Sequence, residues 1–158
     1  PMANGHPAAA TIARPDVMAA FRGAFGYFNT FGGNPVSAAA CLATLEVIEQ
    51  EELAENAART AAYMLERLRD LRHPLLADVR GTGLFFGVEF VLDAEMTPAT
   101  RFTEDLVETL VARGFILNRI GRGGNTLKIR PPLPFSAENA DMLADALILA
   151  LAQTPVVV

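Results

Sequence analysis

The sequence is poor in the residues that build disulfides, metal centres and cysteine–histidine catalytic pairs. It has one cysteine, Cys41, and two histidines, His6 and His73. A single cysteine excludes an internal disulfide, and we expect Cys41 to be a small buried residue inside a helix. Neither an HExxH nor a CxxC spacing occurs, so the sequence gives almost no support for a metal site or a Cys–His nucleophile.

Long apolar runs and basic stretches are also missing. No run approaches the ~18 apolar residues that cross a bilayer, and the first residues lack the basic-then-apolar pattern of a signal peptide. The net charge is −5 without a basic cluster, which argues against nucleic acid as a partner. Apolar residues make up 51% of the chain and charged residues 20%, as in globular proteins. These patterns predict a cytoplasmic globular protein that binds neither nucleic acid nor a membrane.

The apolar periodicity is mixed, helical in some stretches and strand-like in others. Spacings of three and four predict helices over 15–21, 35–49, 52–72, 98–113 and 137–152. Dense β-branched, aromatic and apolar runs predict strands over 8–13, 84–91, 115–120 and 126–130. His73, at the end of the third helical pattern, is expected to be solvated. Strands separated by helices in the second half predict an α+β unit, with a three-stranded sheet and helices on one face.

The stretch 27–35 is the most informative piece of the sequence. Asn34 is a preferred N-cap, and Pro35 suits the first helical position, where its missing N–H costs nothing. The positive end of the following helix, with its free N–H groups, then faces a small glycine-containing loop that carries Thr30. This arrangement suits an anion, phosphate above all. The alternative is an ordinary loop before a well-capped helix.

Glu89 is a carboxylate inside an otherwise apolar strand pattern. It is expected either to point to the outer face of the sheet or to be a paired, buried carboxylate.

Five stretches, taken in order, resemble the landmarks of the class III aminotransferases, which are fold-type I enzymes that depend on pyridoxal 5'-phosphate. The stretches are 1–7, 27–35, 79–89, the helix start at 98–100, and 127–133. Together they cover essentially the whole chain. The sequence at 27–35, and Lys-Ile-Arg-Pro-Pro at 128–132, are most similar to one branch of the family. That branch contains alanine–glyoxylate aminotransferase-like enzymes and phosphoethanolamine phospholyases.

The resemblance implies an α/β fold in which residues 1–43 form the end of the large cofactor-binding domain and the start of a connecting helix. Residues 44–158 then form the small α+β domain. In such enzymes the small domain closes over the substrate. The hydroxyl at the position of Thr30 binds the phosphate of the cofactor in the partner subunit. Thr30, with Asn29 beside it, is therefore the implied cofactor-binding pair, and the intact enzyme is expected to be a homodimer.

The resemblance also implies substrate-binding residues on the last predicted strand. The family usually carries an arginine three residues before the first proline of the Pro-Pro pair, but this sequence has Lys128 there and Arg130 one residue before Pro131. A lysine still pairs with a carboxylate or phosphate, though without the two-pronged geometry of arginine. The alternative is that both side chains are exposed and simply flank Ile129 on an edge strand.

One residue that the family requires is not in this sequence. Pyridoxal-phosphate enzymes use a lysine that holds the cofactor covalently and moves the substrate's α-proton. Lys128 is the only lysine, its strand context is wrong for that role, and the family's lysine would directly precede 1–7. The resemblance thus implies the C-terminal portion of a transaminase, without a catalytic residue of its own, that serves an amino donor and a keto-acid acceptor. The alternatives are the same portion of an amino-alcohol phosphate phospholyase, or a non-catalytic dimerisation module.

Overall fold

The structure is a computed structural model that describes residues 2–156. It divides into two compact units, Pro1–Glu52 and Leu53–Val158. The boundary predicted between residues 43 and 44 concerns the domains of an intact enzyme and stays a prediction.

In its described part, residues 2–52, the first unit holds two helices, α1 (Pro15–Ala24) and α2 (Pro35–Gln50), and both were predicted. Each begins at a proline, the residue that fits the first helical position. Neither helix contains a buried residue, and Cys41 is partly exposed rather than buried. The strand predicted over 8–13 is wrong, because this largely exposed stretch has no strand structure. It is rich in alanine, which favours strands weakly.

From residue 53 to residue 156, the second unit is built from three helices and the four strands of one sheet. In chain order its elements are α3 (Leu53–Arg69), β1 (Leu76–Thr82), β2 (Phe85–Phe90), α4 (Thr100–Ala112), β3 (Asn118–Ile120), β4 (Thr126–Ile129) and α5 (Ala137–Gln153). Ser136 caps α5 as predicted, and its hydroxyl accepts from the N–H of Asn139 at 3.2 Å.

Within residues 2–156, the sheet has four strands in the order β1-β2-β4-β3, and every neighbouring pair is antiparallel. The α+β fold is confirmed, but the expected number of three strands is wrong because β1 was not predicted. A bulge between Leu76 and Asp78 disturbs the alternation of β1, so its inward residues Leu76 and Val79 are three positions apart instead of two. The alternative that placed Lys128 and Arg130 on an edge strand is also wrong, since β4 lies between β2 and β3.

One face of the sheet packs against α3 and α4, and α5 packs against these two helices to complete the core. Phe86, Val88 and Phe90 of β2 and Leu127 and Ile129 of β4 alternate onto this face and are almost fully buried. Positions of the opposite parity define what we call the outer face of the sheet. By strand register it carries Asp78, Arg80, Gly87, Glu89, Thr126 and Lys128.

His73, which was expected to be solvated, is instead half-buried against the core. Its ring stacks on Phe102 with the centroids 4.7 Å apart and meets Phe90 edge-on at 6.4 Å. The Nδ1 atom accepts a hydrogen bond from the N–H of Leu75 at 3.3 Å, which requires Nδ1 to be unprotonated. Burial of the imidazole lowers the pKa of His73 below its ordinary value of 6.5.

His73 should therefore make the stability of the fold depend on pH. As the pH falls through 6.5, the unfolded chain binds a proton that the folded chain resists, so the free energy of unfolding decreases until the lowered folded-state pKa is passed. Denaturant unfolding at about pH 7.5 and about pH 5.5 tests this, with His73→Phe as the control that keeps a stacked ring. The loss of stability on acidification should be smaller in His73→Phe. Equal losses in the two proteins would contradict the prediction.

Candidate functional site

The loop that carries Thr30 is shaped by the carboxamide of Asn29. Its Oδ1 accepts hydrogen bonds from the N–H groups of Phe31 at 3.2 Å and Gly32 at 3.0 Å, the geometry of an Asx turn. Its Nδ2 donates to the hydroxyl of Tyr27 at 3.2 Å. The hydrogen bonds of Asn29 in the structure thus lie inside the loop, and its predicted contact with a cofactor stays a prediction.

Two glycines allow the loop to take this shape. Gly33 has a φ of +70°, a conformation that side chains with a Cβ rarely adopt. At Gly32 the backbone is ordinary, but a Cβ would lie 3.0 Å from the Cγ of Asn29. A larger residue at either position would therefore disturb the turn that presents Thr30.

The start of α2 is capped as the sequence predicts. Asn34 accepts through Oδ1 from the N–H of Ser37 at 2.9 Å, and Pro35 occupies the first helical position. The Nδ2 of Asn34 donates to the carbonyl oxygen of Phe31 at 2.8 Å and to the Ser37 hydroxyl at 2.9 Å. The cap therefore ties the helix to the loop before it.

The cap leaves few donors for an anion. The Ser37 N–H is bound by Asn34, the Ala38 N–H bonds to the Asn34 carbonyl at 3.0 Å, and Pro35 has no N–H. The backbone of Val36 is the remaining donor among these first helical residues. The Thr30 hydroxyl is exposed and has no hydrogen-bond partner among residues 2–156. The first unit therefore offers an anion one available hydroxyl beside a helix N-terminus.

A contact that the sequence analysis missed joins one of the stretches that carry the resemblance to the first turn of α2. The imidazole Nε2 of His6 lies 2.9 Å from the Ser37 hydroxyl oxygen. A tight turn brings His6 into place, with its N–H bonded to the carbonyl of Ala3 at 3.0 Å. Stretch 2–7 is thereby hydrogen-bonded to the start of α2. No spacing rule links residues 31 positions apart, so the sequence alone carried no signal for this contact.

Lys128 lies at the centre of the outer face, not at an edge. On β4 it is paired with Gly87 of β2 on one side and with Asn118 of β3 on the other. Its side chain is half-buried, and in the part of the chain that the structure describes it has no ion-pair or hydrogen-bond partner. Arg130 directly follows β4 and is exposed. The exposed, edge-strand alternative is therefore wrong for Lys128.

The cation on the β1 edge of the outer face, Arg80, is bound to two carboxylates. Arg80 Nη1 donates to Asp78 at 2.7 Å and to Glu89 at 2.6 Å. These carboxylates raise the pKa of Arg80, Asp78 more than Glu89. Glu89 thus lies on the outer face and is also paired, while its side chain stays 24% exposed. This network depends on the register of β1, which the sequence did not predict.

A shallow cavity of about 370 Å³ opens on the outer face, lined by Arg80, Thr82, Phe85, Gly87, Ile120 and Thr126. Gly87, the cross-strand neighbour of Lys128, keeps it open. A Cβ at Gly87 would lie 3.2 Å from the Thr126 methyl group.

The predicted site residues fall into two groups. Thr30 and Asn29 share a loop of the first unit, and Lys128 and Arg130 lie on and directly after β4 of the second. Across residues 2–156 we find no cluster of three or more histidine, cysteine, aspartate or glutamate side chains that could hold a metal ion. Nor does this part of the chain contain a helix with the length and hydropathy needed to span a membrane.

Comparison with known families gives a match over nearly the whole chain. The sequence profile of the family described as "Aminotransferase class-III" matches residues 1–151. Alanine–glyoxylate aminotransferase 2 homolog 2 of Arabidopsis thaliana, named as mitochondrial, is 42% identical over 147 residues, which cover 91% of this chain and 31% of that protein. Ethanolamine-phosphate phospho-lyase homolog 1 of Caenorhabditis elegans is 38% identical, over 88% of this chain and 31% of that protein.

Solved structures give the same result. A phospholyase from Arthrobacter, in complex with phosphoethanolamine, superposes with a TM-score of 0.93 at 41% identity, covering 98% of this chain and 37% of that one. An aminotransferase from Bacillus anthracis has a TM-score of 0.80 at 33% identity, covering 89% of this chain and 34% of that one. The chain therefore spans about a third of the length of the proteins it matches.

Proposed function

The chain belongs to the class III aminotransferases, and from this we propose that it is the C-terminal portion of a pyridoxal-phosphate-dependent transaminase. The observation that carries the proposal is the exposed Thr30 hydroxyl, which has no described hydrogen-bond partner and stands before a capped helix. That chemistry fits a phosphate group. Pyridoxal 5'-phosphate is the cofactor of this family.

In the proposed enzyme this chain binds and positions rather than reacts. Thr30, with Asn29 shaping its loop, holds the phosphate of a cofactor that is bound mainly by the other subunit of a homodimer. Lys128, assisted by Arg130, binds the anionic group of the amino donor or keto-acid acceptor. The bound cofactor supplies an electron sink that makes the substrate's α-proton labile.

The proposal assigns no catalytic residue to this chain. Lys128 is its only lysine, and it lies on a central strand of the second unit. The lysine that attaches the cofactor must then come from outside these 158 residues, and the chain alone should be inactive. We also propose a cytoplasmic location, although the Arabidopsis relative is named as mitochondrial.

A second candidate function is elimination of phosphate from an amino-alcohol phosphate. Two cations, Lys128 and Arg130, are two positions apart on and just after β4, and neither has an ion-pair partner among residues 2–156. A phosphate carries more negative charge than a carboxylate and suits two such cations. The Arthrobacter phospholyase structure, which contains phosphoethanolamine, also favours this candidate.

Product analysis separates the candidates. The intact polypeptide, loaded with pyridoxal phosphate, is given L-alanine with glyoxylate, and separately phosphoethanolamine. Transfer of the amino group to glyoxylate supports the transaminase. Release of inorganic phosphate without amino transfer overturns it in favour of the lyase. No turnover of either mixture would favour the third possibility, a non-catalytic dimerisation module.

Lys128→Ala in the intact enzyme should weaken substrate binding more than cofactor binding. Removing a charge-assisted contact is expected to raise KM for the anionic substrate roughly tenfold or more, with little change in cofactor affinity. Lys128→Arg, which keeps the charge, should retain most of the affinity. Steady-state kinetics and cofactor titration test this, and a larger loss of cofactor binding than of substrate binding would indicate a structural role instead.

A further inference from the structure

Glu89 lies between two cations on the outer face of the sheet. Arg80, Gly87 and Lys128 form one cross-strand row over β1, β2 and β4. Glu89 is two residues beyond Gly87 on β2 and points to the same face, so it is a diagonal neighbour of both cations. Diagonal neighbours on antiparallel strands are about 7–8 Å apart at the backbone, within the reach of long side chains. Gly87 places no side chain between the two cations.

The carboxylate of Glu89 binds only one of its two cationic neighbours. Its Oε2 lies 2.6 Å from Arg80 Nη1, and the same nitrogen binds Asp78 at 2.7 Å. Lys128 has no anionic partner in the part of the chain that the structure describes. One arginine therefore pairs with both carboxylates, Asp78 on β1 and Glu89 on β2, and the lysine is left available.

We propose that Arg80 is a positioning residue that keeps Lys128 available for the anionic group of the substrate by holding Glu89 on the β1 side of the sheet. This inference rests on the proposed role of Lys128. Glu89 is 24% exposed, so its carboxylate would be costly to leave without a partner. Without Arg80, Glu89 would pair with its other diagonal neighbour, Lys128. This new ion pair would compete with the substrate for Lys128.

Removing Arg80 in the intact enzyme tests this. Arg80→Gln should raise KM for the anionic substrate roughly three- to fivefold, the size of a modest ion pair, and leave kcat nearly unchanged. The double variant Arg80→Gln with Glu89→Gln should restore KM, because the competing carboxylate is gone. If Arg80 had only a structural role, removing the charge of Glu89 as well would not restore KM.

Arg101→Gln is the matched control. Arg101 also contacts two carboxylates, Glu104 at 3.5 Å and Asp105 at 2.8 Å, but on the exposed side of α4. Its replacement removes the same charge and should leave KM unchanged. An equal rise of KM in Arg101→Gln would show that net charge alone is responsible and would overturn the inference.

Lys128→Ala, measured in parallel, distinguishes the role of Lys128 from the role of Arg80. If Lys128→Ala leaves KM unchanged, the proposed role of Lys128 is wrong, and the inference on Arg80 fails with it. If Lys128→Ala raises KM while Arg80→Gln does not, or if the double variant fails to recover, only the role of Arg80 is wrong.

Discussion

Replacing Thr30 by alanine should loosen pyridoxal phosphate in the intact enzyme without unfolding the chain. The substitution removes one hydrogen bond to a charged group, worth about 1.5–3 kcal/mol, or an increase of roughly 10- to 150-fold in the dissociation constant. Thr30 is exposed, and its hydroxyl has no hydrogen-bond partner within residues 2–156, so the fold should be little affected. Titration of apoenzyme with the cofactor, followed by absorbance, measures the loss.

The neighbouring polar side chains should not be able to compensate for the loss of the Thr30 hydroxyl. Asn29 is committed to the turn and Asn34 to the helix cap, so neither can take over the phosphate without breaking its present bonds. Thr30→Ser keeps the hydroxyl and is the control, with an affinity expected near that of the wild type. Unchanged affinity in Thr30→Ala, or equal losses in both variants, would contradict the assignment.

Phe102→Ala should greatly reduce the stability of the second unit. The ring of Phe102 is 1% exposed, meets Phe90 at a centroid distance of 5.3 Å and carries the stacked imidazole of His73. Truncating a buried phenylalanine typically costs about 3–5 kcal/mol of stability, because apolar contacts are lost and a cavity is left in the core. Typical domains are stable by only about 5–15 kcal/mol, so a large part of the stability should disappear.

Phe85→Ala makes the same chemical change on the outer face and serves as the control. Its side chain is 49% exposed, so its removal should cost well under half as much. Urea unfolding of the wild type and both variants compares the free energies. Phe102→Ala should also weaken the pH dependence of stability, since His73 would lose the neighbour that shields it. Similar losses in the two alanine variants would show that the core is not centred on Phe102.

The elements with regular patterns were predictable from the sequence, and those whose pattern is broken were not. The strong strand pattern at 84–91 predicted β2, and the apolar spacing at 52–72 predicted α3. β1 was not predicted because its bulge interrupts the alternation and because Arg80 and Gly81 lie among its few apolar residues. The run 8–13 has the opposite character, being apolar without strand structure.

The same difference holds for the candidate site. The cap at Asn34 and the position of Thr30 follow from local rules, and sequence reasoning found both. The contact between His6 and Ser37, and the pairing of Glu89 with Arg80, depend on residues brought together by the fold. The central position of Lys128 depends on β3, a strand of only three residues that the sequence analysis predicted to be longer.

The strands at the two ends of the sheet have a consequence for how the chain behaves in concentrated solution. A long, flat edge strand is a template on which other molecules can add strands and aggregate. Here one edge, β1, is bent by the bulge beside Asp78 and carries Arg80, and the other edge, β3, is three residues long. Both edges are poor templates, so growth by strand addition should be disfavoured, and association of copies should use side chains rather than shared backbone hydrogen bonds.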